Sequence, residues 1–427
     1  MFSRKAPARA STVSVSNPRR WLGALVFGCL ALAAPRAEAQ VAALDLSSAL
    51  FVEPSKRSGL TVVNPSATLA VTPVDWLSVR GGYEADIVSG ASESVKGGRL
   101  SNVDIVTSAT HFSDTRHALS GGFTVTRAST HLSGSYTYGT EHDYRSNAFA
   151  VSAGTDFLKK NTQIELSYGR GFDKVCTTAF VASDAPSSRA ALDNSHGCFT
   201  ADKTRASRDI ALDNFQVGWT QTWTPVFATQ MVLTGALQHG FLGNPYRSVV
   251  IASAGDQALE NHPENRARGA LGLRGKYYVR KLETAFTANL RLYRDTWDIF
   301  GQTYELDAER YMLPWLRVLL RARYYTQTKA LFWSDDYTGG EPATGPRGQY
   351  WSGDRELSPL SSYLLGARAS AAFEGHPGER VFGLFLRFSA VVGFDLLKTN
   401  LRDFTLGGRA PDDTLALLWS LGARGEF

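Results

Sequence analysis

The sequence predicts an all-β chain, a single transmembrane antiparallel β-barrel of about sixteen strands with short turns at one end and long loops at the other. Three observations carry that expectation. Segments that alternate apolar and polar residues recur throughout the chain beyond residue 40, with no later run of roughly eighteen apolar residues that would make a transmembrane helix. Every even-to-odd connection between these segments is short, and the long connections all fall on odd-to-even steps. The chain ends on a strand, 414–427, whose one face is wholly uncharged.

Composition agrees. Glycine (39 residues), 11% aromatic and 43% hydrophobic content suit a sheet that alternates along every strand. The formal charge of +5 comes from the amino terminus. Residues 1–39 hold Arg4, Lys5, Arg9, Arg19, Arg20 and Arg36 against the single acid Glu38, so the remainder is neutral and gives no reason to expect nucleic-acid binding. The same segment has the three parts of a cleaved secretory signal: the Arg19-Arg20 pair, the apolar run 21–34, and Ala37-Glu38-Ala39 before Gln40. The expected domains are therefore a signal peptide, 1–39, and an outer-membrane barrel, 40–427.

The strands read in order as 42–53, 60–71, 76–87, 116–126, 130–140, 144–155, 162–172, 210–223, 227–241, 266–279, 282–295, 298–307, 315–327, 362–373, 380–394 and 414–427. In the first, Leu44, Leu46, Leu50 and Val52 alternate with Asp45, Ser47 and Glu53. Even-to-odd connections are short (72–75, 127–129, 156–161, 224–226, 280–281, 308–314, 374–379). The long ones (88–115, 173–209, 242–265, 328–361, 395–413) are all odd-to-even. Outer-membrane barrels show this asymmetry, with periplasmic turns and extracellular loops, and a soluble sandwich has no reason to keep it. The last strand places Trp419, Leu421 and Phe427 on its uncharged face, the pattern of a barrel-assembly signal. Trp76, Trp223 and Trp315 sit near turn ends and Trp297 near a loop end, as interfacial girdles would place them.

One face of several strands is strongly basic. Arg266, Arg268, Arg274 and Lys276 alternate with uncharged residues, as do Arg291 and then Arg317, Arg321 and Arg323. A charge facing lipid costs roughly 2–4 kcal/mol at the midplane, so these are expected in the lumen. Clustered guanidinium groups favour anions and offer forked donors to carboxylate or phosphate. The competing reading is a neutral lining, with Glu165, Glu283, Asp295 and Glu305 compensating them.

The pieces HGFLGNPYR (239–247), PENRARGALGLRGKYYV (263–279), LRLYRDTWDIFGQTYEL (290–306) and LRARYYTQTKALFW (320–333) resemble an uncharacterised family of bacterial outer-membrane proteins, domain-of-unknown-function family 3570. The resemblance implies a single-chain, porin-like barrel and carries over no catalytic or cofactor residue.

Other candidates are weaker. Cys176 and Cys198, in the loop 173–209, are the cysteines left after signal removal and are expected to form a disulfide in an oxidising compartment. A metal site with Asp193 and His196 lacks standard spacing. The acidic loop 335–341 has calcium-type ligands without EF-hand spacing. His239 is the one strand histidine weighed as a catalytic base, but no hydrolase motif accompanies it. The expectation is a passive channel for small solutes, with either an anion preference or a neutral lining, and without metal, cofactor or reaction. Its expected partners are outer-membrane lipid, periplasmic chaperones and the barrel-assembly machinery, and its oligomeric state is open. The alternatives are a loop-plugged structural or binding barrel and, further off, an outer-membrane hydrolase.

Overall fold

An antiparallel sheet whose strands each pair with their sequence neighbours has no free edge once its first strand meets its last. That closure is what the computed structural model shows. It describes residues 41–54, 59–90, 113–181, 184, 188–192, 204–250, 257–335, 337, 350–376, 379–402 and 413–427. The signal segment lies outside them.

The barrel strands are β1 (Val41–Glu53), β2 (Leu60–Val74), β3 (Leu77–Gly90), β4 (Ser113–Arg127), β5 (Thr130–Thr140), β6 (Tyr144–Phe157), β7 (Thr162–Thr178), β8 (Arg205–Thr224) and β9 (Phe227–Gly240). They continue, after a small loop hairpin of β10 (Ser248–Val250) and β11 (Gln257–Leu259), with β12 (Asn265–Val279), β13 (Thr284–Asp295), β14 (Phe300–Leu313), β15 (Leu316–Gln327), β16 (Leu360–Glu374), β17 (Arg387–Leu401) and β18 (Thr414–Glu426). The sheet closes where β1 pairs with β18, from Ala43 opposite Glu426 to Val52 opposite Leu417. Both chain ends of the barrel lie at the end with the short turns.

The period-two pattern decides which side faces out. Leu273 and Tyr277, Leu306, Leu320, Leu365, and Trp419 with Leu421 are large, exposed and in step with one another across paired strands. These positions form the outer apolar band, and the alternate positions turn their polar groups to the lumen. Exposed Trp76, Trp223 and Trp315 rim the turn end. At the C-terminus the Phe427 backbone N–H donates to Ala42 O (2.8 Å), and its ring packs on Phe385 (5.1 Å).

Some boundaries differ from expectation for identifiable reasons. The segment 380–385 is not the start of a strand. It folds into its own turn, with Val381 bridged to Phe385 and Gly383 at φ +73, so β17 begins at Arg387. That strand continues beyond Phe394 because Asp395 faces the lumen over Gly366, where its charge is tolerated. β14 runs on to Leu313 because Glu309 extends the lumen face and finds cations there. β7 and β8 pair as far as Thr178 opposite Arg205, placing Cys176 in a strand rather than in a loop.

The turn between β4 and β5 holds Ala128 at φ +53, where a Cβ is disfavoured by roughly 1–2 kcal/mol. Ala128→Gly is expected to stabilise the barrel by about 1 kcal/mol. A higher urea midpoint for unfolding from detergent or lipid would be the readout, and an unchanged or lower midpoint would refute strain at that turn.

Candidate functional site

Lumen charge is arranged by register. Arg266, Arg268, Arg274 and Lys276 on β12, Arg291 on β13, and Arg317, Arg321 and Arg323 on β15 all occupy lumen positions, in step with one another across β12–β15. They fall into two groups. Towards the turn end, cations are compensated: Lys276 Nζ lies 2.9 Å from Glu309, Arg317 3.2 Å from the same carboxylate, and Arg321 Nε 2.9 Å from Asp307 and 3.7 Å from Glu305. Lys276 reaches across β13 to β14 because the intervening residues, Thr287 and Ala285, are short. Arg387 and Arg424 near that end are likewise paired, with Glu374 and with Asp45 and Glu426.

The second group is uncompensated. Among the described residues, Arg268, Arg274, Arg291 and Arg323 make no ion pair with a carboxylate, and the Arg268 Nε is buried without an acceptor. Glu305 stands level with Arg274 and Arg323 but is engaged by Asn289, whose Nδ2 donates to it at 3.0 Å.

The other expected lumen acids divide as well. Glu165 faces the lumen from β7, between outward-facing Ile164 and Leu166. Glu283 does not. It ends the short turn 280–282 in a left-handed conformation, lies exposed, and pairs with Arg310 at 3.1 Å. Asp295 is wholly buried and structural: it accepts from Arg266 Nε (2.9 Å), Tyr293 (2.7 Å) and the backbone N–H of Trp297 and Ile299 (3.0 Å each). Arg266 is thereby held over the Trp297 ring, 4.0 Å from its centroid.

Arg268 and Arg291 line a cavity of about 670 Å³ in the loop-ward half of the lumen. Its remaining wall, contributed by β5 to β9, includes the polar groups of Ser135, Ser146, Ser167, Asn214, Gln216 and Thr234, beside Leu212. Arg116 and Asp173 mark its far side. Arg116 lies 3.6 Å from Asp86, and Asp173 accepts a 2.5 Å hydrogen bond from the Tyr144 hydroxyl.

Over this cavity the long connections build a body of their own. Trp297, Ile299, Ala330, Phe332, Trp333 and Leu357 form a buried core, with Tyr293 and Leu401 packed against it. Val249, Ala258, Tyr337 and Trp351 form a second. Trp297, only 3% exposed, therefore belongs to this cap and not to an interfacial girdle. The two large loops are stitched by paired backbone bonds between Asn261 and Trp351 (2.9 and 3.1 Å) and by Trp351 Nε1 donating to Leu259 O (3.0 Å). Tyr246 reaches Asp143 in the β5–β6 connection, and Arg355 makes a forked pair with Glu53 on β1 (3.0 Å for both bonds). Arg247 is ion-paired with Asp354. Burial acts to lower its guanidinium, but Asp354, Glu260 and Glu356 outweigh that and hold it above its ordinary value.

The minor candidates find places here. Cys176 is fully buried at the loop end of β7 beside Leu192 and Tyr246, while Cys198 lies outside the described residues, as do Asp193 and His196. Asp335 and Tyr337 are buried in the cap, where the Tyr337 hydroxyl donates to Phe332 O (2.9 Å); Asp336 and 338–341 lie outside the described residues. His239 is exposed on the outward face, at the loop rim, in a 2.8 Å hydrogen bond with Asn265. Its ring does not point into the lumen cavity.

A family model for proteins of unknown function, DUF3570, matches residues 31–379. No curated protein matches the sequence. Among solved structures, the fold is similar to a bacterial polysaccharide outer-membrane secretin, at 9% identity and a TM-score of 0.46, over 89% of this chain and 97% of that one. It is also similar to OccD3 (OpdP) of Pseudomonas aeruginosa, at 10% identity and a TM-score of 0.42, over 92% of each chain. The siderophore receptor PirA of Acinetobacter baumannii is matched at 10% identity and a TM-score of 0.44, over 84% of this chain, which spans about half (53%) of that receptor.

Proposed function

The chain belongs to the DUF3570 family of proteins of unknown function, and for this member, with its outer-membrane type of β-barrel, we propose a porin-like channel of the bacterial outer membrane that passes small anionic solutes by diffusion. The observation that carries the reading is the uncompensated quartet Arg268, Arg274, Arg291 and Arg323 inside a closed barrel. A cation left without a carboxylate in a narrow, partly desolvated lumen lowers the local barrier for anions and raises it for cations. Arg317 and Arg321 contribute less, because Glu309 and Asp307 already neutralise them. The cap restricts entry from the loop side and sets the size limit.

On this reading the segment 1–39 directs export and is cleaved, the turn end is periplasmic, and chaperones and the barrel-assembly machinery engage the terminal strand with Trp419, Leu421 and Phe427. A Cys176–Cys198 disulfide would brace the β7–β8 loop against the cap. No reaction and no cofactor are assigned.

The test is single-channel recording of the folded chain in planar bilayers under a potassium chloride gradient. Ohmic steps with a reversal potential favouring chloride are expected, and replacing the four arginines with glutamine should move that potential towards zero. A second reading, a barrel sealed by its loops, is favoured by the buried cap core. A heat-modifiable, folded barrel without any conductance would select it.

A further inference from the structure

We propose that the loop-ward cavity is a binding subsite for a small carboxylate on a polyhydroxylated body, a sugar acid by chemical class. Resting on the channel reading only for how the solute arrives, the inference starts from the two unlike halves of one wall. On β12 and β13, Arg268 and Arg291 project into the space with no carboxylate among the described residues to hold them. Their planar forks match a carboxylate and gain most where water is scarce. On β6 to β8 the wall offers Ser146, Ser167, Asn214 and Gln216. Hydroxyl and amide groups both donate and accept, which is the hydrogen-bonding habit of a polyol.

Ala148, Gly169 and Gly171 stand between them, beside Leu212, so much of the wall is shallow. The resulting space of about 670 Å³ falls within the range of small-molecule sites. A simple inorganic anion would use the two arginines and leave the hydroxyl wall idle. A neutral sugar would leave the arginines unmatched. A cationic ligand has little to bind: Asp173, the acid on the lining, is already engaged by the Tyr144 hydroxyl. Tyr293 lines the cavity and packs under the cap core, so a bound solute would lie directly beneath the cap.

Calorimetry on the full chain folded in detergent, at low salt, tests this without requiring conductance. The probes are galacturonate, galactose and acetate. Galacturonate is expected to bind on the order of tenfold or more tighter than either of the others, the effect of adding charge-assisted bonds to hydroxyl contacts. Arg268→Gln with Arg291→Gln should remove that advantage, whereas Arg317→Gln with Arg321→Gln should leave it within about twofold. If the first pair fails to give a folded, heat-modifiable band, Arg291→Gln alone carries the test, since its guanidinium holds no carboxylate. Equal affinity for galacturonate and acetate, or galacturonate binding that survives the loss of Arg291, would overturn the proposal. Binding without conductance in bilayers would keep the subsite and refute the channel. Anion-selective conductance without binding would do the reverse.

Discussion

Asp295→Ala is expected to unfold the cap while the barrel stays closed. Its buried carboxylate is the point on which one backbone turn, one tyrosine and one arginine converge. Removing it strands the Arg266 cation against the Trp297 ring and leaves the N–H groups of Trp297 and Ile299 without acceptors in a desolvated site. Breaking one side of a buried ion pair costs about 3–5 kcal/mol. The penalty falls on the loops, because the barrel ladder of β12, β13 and β14 does not depend on that side chain. Hydrogen exchange should show lost protection across 296–299 and 328–335, with β12–β15 unchanged. Asp295→Asn, which keeps an acceptor but not the charge, should give a smaller loss. Equal protection in the alanine variant and the parent would mean that the cap does not hang on this carboxylate.

Trp351→Ala should have an effect of similar size by a different route. The side chain is 1% exposed, packs with Val249, Ala258 and Tyr337, and fastens one large loop to the other through Leu259 O. Truncating a buried tryptophan costs about 3–5 kcal/mol, through lost contacts and the cavity left behind. The two loops should then separate. Conductance in planar bilayers should rise and the open-channel current should become noisier, with barrel stability in urea little changed. A current trace indistinguishable from the parent would show that the cap does not obstruct the path.

The barrel was legible in the sequence because its governing rule is local. Alternation such as Leu316, Val318 and Leu320 against Arg317, Arg321 and Arg323 needs only neighbouring residues to be read, and connection lengths then give the hand of each end. The lumen cations could be placed for the same reason. Their pairing could not. Lys276 meets Glu309 two strands away only because of the register and because Thr287 is short, and neither is written in one segment. Glu283 left the wall through a short turn that places it in a left-handed conformation. The cap was missed because its core has no period: Trp297, Phe332, Trp333, Leu357 and Trp351 are scattered over irregular loops. A signal did exist. A solvated loop seldom carries the aromatic residues that stand at 332, 333, 337, 350 and 351.

The forked bond between Arg355 and Glu53 joins residues 302 positions apart. Glu53 reaches that neighbourhood only when β1 has zipped onto β18, whose paired residues lie farther apart still in the sequence. Contacts of that kind form late, after the chain entropy of every intervening loop has been spent. Closure of the cylinder is therefore expected to precede completion of the cap. A nascent chain halted with its seam open would leave the loop core exposed to proteases. Completion of the cap thus reports that the seam between β1 and β18 has closed.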